Sequence, residues 1–212
     1  SRGEVEMPPK PGIHPRPDSF IHAMPAYVRS GDIAGLKWIS GFPDNPSRGL
    51  PYISGLMILN DPATGVPLAV MDASWITAVR TGAATAVAAK YLARREATHL
   101  AFIGCGVQAR SDLDALAVVQ PRLADVLAYD IRPEAAEAFA EYGQTRHRLR
   151  VMVCRTPEEA VRGAELIVTA TPILKHPTPV LLPEWLRPGA FLCTLDFDSS
   201  VTPAAFQAVD FL

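Results

Sequence analysis

Apolar positions along the chain change rhythm once, and the change divides it. From residue 20 to residue 71 they come in short runs bounded by turn formers, the pattern of β-strands. The runs fall around Phe20–Val28, Leu36–Ser40, Tyr52–Leu59 and Pro67–Met71. Between the last two, Asn60-Asp61-Pro62-Ala63-Thr64-Gly65 predicts a hairpin turn, because Pro presets φ and Gly accepts a positive one. Pairing across so tight a turn predicts an antiparallel or mixed sheet. Residues 1–20 are Pro-rich and aperiodic, and predict no regular element.

A long helix is predicted from Ser74, as its N-cap, to about Arg94. Its middle, Gly82 to Ala89, is nearly all small residues, which permits close approach of another element at some cost in propensity at Gly82. After Thr98 the rhythm becomes strand, helix, strand, helix. Leu100–Ile103, Asp125–Tyr129, Arg148–Val153, Leu166–Ala170 and Ala190–Leu195 read as strands; Val107–Val119, Pro133–Tyr142 and Pro157–Gly163 read as helices. Such alternation predicts a doubly wound parallel sheet. The fold class is therefore α/β, with part of a smaller mixed α+β domain preceding that sheet. The expected divisions are residues 1–75, a connecting helix over 76–97, and 98–212.

Composition narrows the field by exclusion. The chain is 49% apolar and 20% charged with a net charge of −2, an ordinary soluble profile. Its basic residues are scattered and nearly balanced by acids, so nothing points to nucleic acid. No apolar run approaches the roughly 18 residues that span a bilayer, and the N-terminus lacks a signal-peptide pattern. Cys105, Cys154 and Cys193 lack metal spacing and sit in or beside apolar runs, which predicts reduced thiols in a cytoplasmic protein. The histidines show no metal spacing, and His99 reads as a surface residue. No Ser-His-Asp arrangement can be argued, and no Gly-Lys-Ser loop occurs. The abrupt opening at Ser1 and the ending Val209-Asp210-Phe211-Leu212, which reads as the start of a strand, lead us to expect truncation at both ends.

Candidate chemistry concentrates where Leu100-Ala101-Phe102-Ile103 runs into Gly104-Cys105-Gly106-Val107-Gln108-Ala109. A strand ending in Gly-x-Gly-x-x-Ala and opening a helix is how a dinucleotide-binding, Rossmann-type unit receives a pyrophosphate. Asp130 ends the next strand, where a carboxylate can accept from an adenosine ribose hydroxyl or can be a solvated turn residue. It favours NAD over NADP, although Arg132 nearby could neutralise a 2′-phosphate. Thr169 and Thr171 close the fourth strand and either touch the cofactor or merely terminate the strand. In the first region Lys37 faces opposite to Leu36 and Trp38 by strand alternation, as an exposed edge lysine or a functional one. Arg80 lies among Ala, Val, Gly and Thr, so its fork pairs with a distant acid or awaits a ligand carboxylate. Asp196 and Asp198 follow the last strand, at the carboxyl edge where open α/β sheets place ligands. Either is an acid/base candidate or a helix cap.

Met7–Lys10, Met24–Tyr27, Lys37–Pro46, Gly49–Pro51, Leu59–Ala69, Ile76–Ala84 and Gly104–Ala109 together resemble the ornithine cyclodeaminase/mu-crystallin family. That family includes cyclising deaminases, an alanine dehydrogenase type and ketimine reductases. The resemblance implies that Lys37 and Arg80 contact a substrate carboxylate, with Lys10 near it and Lys37 also a proton carrier. It implies that Asp198 is the catalytic aspartate, that Thr81 and the Gly104–Ala109 turn hold the pyrophosphate, and that Asp130 holds the ribose. It further implies a homodimer, completed with a C-terminal segment that is absent here. Ornithine-specific members carry an acid two residues before the Met-Pro step, where this chain has His22, and strict ornithine specificity is therefore not expected. The implied activity is an NAD(P)-dependent oxidoreductase moving hydride to or from the α-carbon of a small amino or imino acid. A cyclodeaminase recycling NAD and a crystallin-type cofactor-dependent binder are the alternatives.

Overall fold

The computed structural model describes residues 3–210, and the chain divides into two compact units, one ending at Thr77 and the other beginning at Ala78. The expected strand at 209–212 lies partly outside the described residues.

The first unit is a six-stranded antiparallel sheet. Its strands are β1 (Val5–Glu6), β2 (Gly12–Ile13), β3 (Phe20–Val28), β4 (Ile33–Gly41), β5 (Ile53–Asn60) and β6 (Pro67–Asp72). They run in the order β1-β3-β4-β5-β6, with β2 also on β3. The short β1 and β2 lie in the Pro-rich segment that predicted no element: two-residue strands carry no periodicity to detect. The β5–β6 turn closes as its residues dictate. Gly65 takes φ +73°, and Asp61 accepts from the Ala63 N–H at 2.9 Å and the Thr64 hydroxyl at 2.8 Å. Register sets the faces: Met24, Lys37, Met57 and Met71 form one row, and Ala23, Trp38, Leu56 and Asp72 the next, on the opposite side. That opposite side leaves apolar surface bare, with Trp38 44%, Leu56 50% and Val70 62% exposed.

Helix α1 (Ser74–Leu92) follows. Its N-terminal cap comes from Asp72, not Ser74: the Asp72 carboxylate accepts from the Ser74 and Trp75 N–H groups at 2.9 and 3.2 Å.

The second unit is a parallel sheet of β7 (His99–Ile103), β8 (Asp125–Tyr129), β9 (Arg150–Val153), β10 (Leu166–Thr169) and β11 (Phe191–Thr194). Its order is β11-β10-β7-β8-β9. Helices α2 (Val107–Val119), α3 (Pro133–His147), α4 (Pro157–Val161) and α5 (Pro203–Gln207) complete it. Alternate strand residues feed two cores. Leu100, Phe102, Val126 and Val168 pack with Leu113, Leu116 and Phe139, while Ala101, Ile103 and Ile167 pack with Val161 and Leu181. Phe102 and Phe139 meet edge to face at 5.0 Å between centroids. Helix α3 runs past Tyr142, where the expected helix stopped. Gly143 is not a terminator: a Cβ there would come within 2.6 Å of Val151, so glycine lets α3 settle on β9. The true stop is Arg148 at φ +57°, which sequence alternation assigned to the strand. Among the described residues no helix is long and apolar enough to cross a membrane.

Candidate functional site

The turn after β7 is built by two glycines with different reasons. Gly104 has φ +89°, donates its N–H to Tyr129 O at 2.8 Å, and leaves no room for a side chain, since a Cβ would meet the Ala170 backbone at 2.8 Å. Gly106 has φ −79°, open to any residue, and a Cβ there would meet nothing within 4 Å. Neither backbone nor packing demands glycine at Gly106. It stands as the N-cap of α2, whose first N–H groups no side chain caps and whose first turn holds no acid. What results is a bare, electropositive helix start with space above it.

Asp130 is tied to this turn. One carboxylate oxygen accepts from the Cys105 N–H at 2.8 Å and the other from the Arg132 N–H at 2.9 Å. Each oxygen keeps a further lone pair. The Arg132 guanidinium is half exposed, with Nε 3.7 Å from the carboxylate. Burial pushes the Cys105 thiol up to about 12, so it stays protonated. The three cysteines form no disulfide.

Gln108 points away from the open space. Its amide donates to Ala78 O at 3.2 Å and to Asp112 at 2.7 Å, and the Ser111 hydroxyl also donates to Ala78 O at 2.8 Å. Gly82 closes the contact, because a Cβ there would lie 2.4 Å from Ser111 O. These bonds fasten the start of the second unit's portion of α1, which carries Arg80 and Thr81, to the first turns of α2. Of the turn's predicted cofactor contacts, Gln108 is thus left with its backbone. Val107 is exposed and Ala109 buried against the core. The clamp residues Ser111 and Asp112 escaped the sequence reading, although Gln108 and Asp112 stand four apart, the spacing of neighbours on a helix.

Thr169 ends β10. It is fully buried and its hydroxyl donates to Asp196, the strand-terminating alternative. Thr171 commits both its N–H and its hydroxyl to the same carboxylate, and the Ser200 hydroxyl adds another donor. Asp196, fully buried, is a knot joining the ends of β10 and β11, not an acid/base. Asp198 is exposed and makes no hydrogen bond or ion pair among the described residues. It borders a cavity of 470 Å³ lined also by Pro177, Pro179, Phe206 and Gln207.

In the first unit Lys37 is not an edge lysine: β4 lies inside the sheet between β3 and β5. Its Nζ donates to the Thr77 hydroxyl at 3.4 Å. Lys10 is exposed. Arg80 is exposed on α1 with no ion pair among the described residues, so the distant-acid reading finds no partner there. The structure thus gathers Gly104–Ala109, Asp130 and Arg132 at one turn of the second unit and places Lys10 and Lys37 in the first.

A family model described as ornithine cyclodeaminase/mu-crystallin matches residues 1–201. The alanine dehydrogenase of Archaeoglobus fulgidus is 42% identical over 196 residues, covering 92% of this chain and 58% of that protein. The solved structure of Thermococcus litoralis Δ1-pyrroline-2-carboxylate reductase with NADH and L-proline matches at TM-score 0.90 and 32% identity. That match covers 96% of this chain and 64% of that one. An archaeal alanine dehydrogenase dimer with bound NAD matches at TM-score 0.80 and 43% identity, covering 90% and 57%. The chain therefore spans less than two thirds of the length of these relatives.

Proposed function

We propose, for a chain that belongs to the ornithine cyclodeaminase/mu-crystallin family, the work of a nicotinamide-dependent oxidoreductase on a small α-amino or α-imino acid. The observation that carries this reading is Gly106: a glycine required by neither φ nor packing, at an uncapped helix start, beside a carboxylate held by the same turn. Such a cradle fits a dinucleotide. The N–H groups of the Gly104–Ala109 turn would hold the pyrophosphate, with Thr81 assisting, and Asp130 the adenosine ribose. The fixed charge of Asp130 repels a 2′-phosphate. NAD is therefore the cofactor, and NADP the weaker candidate that the half-exposed Arg132 guanidinium, 3.7 Å from Asp130, leaves open.

A bound nicotinamide would supply or accept the hydride at the substrate α-carbon. Every other task falls to the chain. Lys37 and Arg80 grip the substrate carboxylate, with Lys10 beside them, an orientation effect that can lower a barrier by several kcal/mol. Asp198, exposed and without a partner among the described residues, moves the proton on nitrogen or water, and Lys37 is the second proton carrier. The second unit is the dinucleotide-binding domain and the first serves substrate and dimerisation. A second copy of the chain would cover the bare Trp38, Leu56 and Val70 face. The three free cysteines fit a cytoplasmic site of action.

The test is NADH oxidation by the full-length protein with ammonia plus 2-oxo acids, and with cyclic imino acids. Turnover is expected. Ammonia release from ornithine or lysine at constant cofactor absorbance would instead assign a cyclodeaminase, and tight nucleotide binding without turnover a binder.

A further inference from the structure

Among the described residues, Asp18, Asp32, Arg148 and Phe197 combine a side chain with positive φ. Aspartate tolerates the left-handed region, and Arg148 ends α3. Phe197, at φ +56°, has no such reason, and a bulky residue there is a backbone outlier. Burial does not compensate it, because the ring is 61% exposed and joins neither core of the second unit. Phe197 is the first central residue of a tight turn, closed by the Ser199 N–H donating to Asp196 O at 3.0 Å, and Asp198 is the second. Positive φ at the first central position alone belongs to a mirror-image turn that favours glycine there. Phenylalanine left to itself would take the ordinary turn with negative φ, and the altered backbone would re-aim Asp198. Hydrogen bonds hold both ends of the turn. The Asp196 carboxylate accepts from the Thr169 hydroxyl at 2.5 Å, and from the Thr171 hydroxyl and N–H at 2.5 and 3.2 Å. It also accepts from the Ser200 hydroxyl at 2.6 Å, which ties the first residue of the turn to the one just beyond it. The Ser199 hydroxyl accepts from the Leu174 N–H at 3.2 Å, and Ser200 O from the Val180 and Leu181 N–H groups at 3.0 and 2.9 Å. Asp196, Ser199 and Ser200 are buried, while Phe197 and Asp198 between them are exposed.

We infer that Asp196 is a positioning residue for Asp198: through Thr169, Thr171 and Ser200 it holds the turn in a conformation that phenylalanine disfavours, and so fixes where the acid/base carboxylate stands. The inference rests on the reading that Asp198 moves the proton, and adds a second carboxylate that acts only through it. Backbone strain of this kind persists where the surroundings over-determine the conformation. Four hydrogen bonds onto one buried carboxylate supply that constraint. A group that must meet a proton on substrate nitrogen or water gains from being held, since misplacement by about 1 Å can cost about a hundredfold in rate.

The experiment measures kcat, substrate KM and the NADH dissociation constant of the full-length protein, with the fastest substrate found among ammonia plus 2-oxo acids and cyclic imino acids. Asp196→Asn keeps the shape of the side chain and loses an acceptor; Ser200→Ala removes a single bond from the knot. They should lower kcat by about tenfold and about threefold, with KM and NADH affinity changed less than about twofold. Phe197→Gly alone should stay within about threefold of wild type. Added to Asp196→Asn or Ser200→Ala, it should restore most of the lost kcat, because glycine adopts the left-handed turn unaided. A knot that serves only folding gives no such rescue. Should Asp196→Asn fail to fold, Ser200→Ala with and without Phe197→Gly decides the question. Wild-type kcat in both knot variants, or a loss that glycine does not relieve, would overturn the inference while an inactive Asp198→Asn keeps the acid/base reading standing. A tenfold loss in Phe197→Gly alone would also overturn it, by giving the ring and not the backbone the work. Full activity in Asp198→Asn, or no turnover with any substrate, would remove the acid/base reading and this inference together.

Discussion

Gly104 and Gly106 sit two residues apart, and alanine at each should separate folding from binding. At Gly104 the methyl group has to adopt φ +89° and enters the Ala170 backbone at 2.8 Å. A left-handed backbone costs roughly 1–2 kcal/mol for an L-residue, and forced overpacking about 1–3 kcal/mol more. Gly104→Ala should therefore destabilise by about 2–5 kcal/mol. At Gly106 φ is −79° and the methyl group projects into open space. Restricting the unfolded chain there stabilises by about 0.4–1 kcal/mol. The same methyl stands where a pyrophosphate must approach the N–H groups of α2, so the NADH dissociation constant should rise at least about tenfold, or 1.4 kcal/mol. Urea unfolding and a fluorescence titration with NADH, on the full-length protein, read the two effects independently. Wild-type affinity in Gly106→Ala would refute the cradle. A stability loss in Gly106→Ala as large as in Gly104→Ala would refute the distinction between the two glycines.

Asp130→Asn keeps the shape of the side chain and removes its charge, so the ratio of NAD to NADP affinity should fall about tenfold; an unchanged ratio on titration would count against the ribose assignment. Asp112 is fully buried with one carboxylate oxygen unpartnered among the described residues, and burial raises its pKa above 3.8 against hydrogen bonds from Thr85 and Gln108. The unfolded chain then loses this proton first, so the penalty is absent below pH 3.8 and grows as pH rises toward the folded value. Asp112→Asn should be more stable than wild type at neutral pH and converge with it near pH 3.8, measured as urea midpoints. Glu165 behaves in the opposite sense. The Thr98 N–H at 2.7 Å is the main cause that lowers its pKa, with His99 N–H, the Thr98 hydroxyl and Arg187 adding. Its contribution is complete above pH 4.5 and lost as pH falls through the lower folded value, so Glu165→Gln should flatten the acid limb of the stability curve.

What was legible in the sequence was what is encoded locally. Apolar runs of four to six residues bounded by turn formers marked β7, β8, β10 and β11, because strands of a sheet covered by helices are built mostly of apolar residues. Helix ends were legible only where the punctuation was unambiguous. The expected helix ended at Tyr142, but Gly143 beyond it is a packing contact within the helix, whereas Arg148, an ordinary arginine by sequence, ends it in the left-handed region. Lys37 could not be placed at an edge or in the interior from its own strand, because strand order is a property of partners far along the chain. The clamp of Gln108 and Ser111 onto Ala78 spans 30 and 33 residues, and no local period announces it.

The carboxylates of the second unit show the same limit from the side of chemistry. Asp112, Asp130, Asp196 and Asp198 are equivalent by residue type, and only their donors sort them. Asp196 takes hydrogen bonds from Thr169, Thr171 and Ser200 in a fully buried knot, so both of its oxygens are committed to the joint between two strand ends. Asp130 accepts two backbone N–H groups that fix its geometry while leaving a lone pair on each oxygen, which suits holding a hydroxyl and not exchanging a proton. Asp112 is out of reach of any ligand. A group that must gain and lose a proton at each turnover needs access and an uncommitted oxygen. Of the four, Asp198 alone has both among the described residues, and it stands just beyond the carboxyl end of β11.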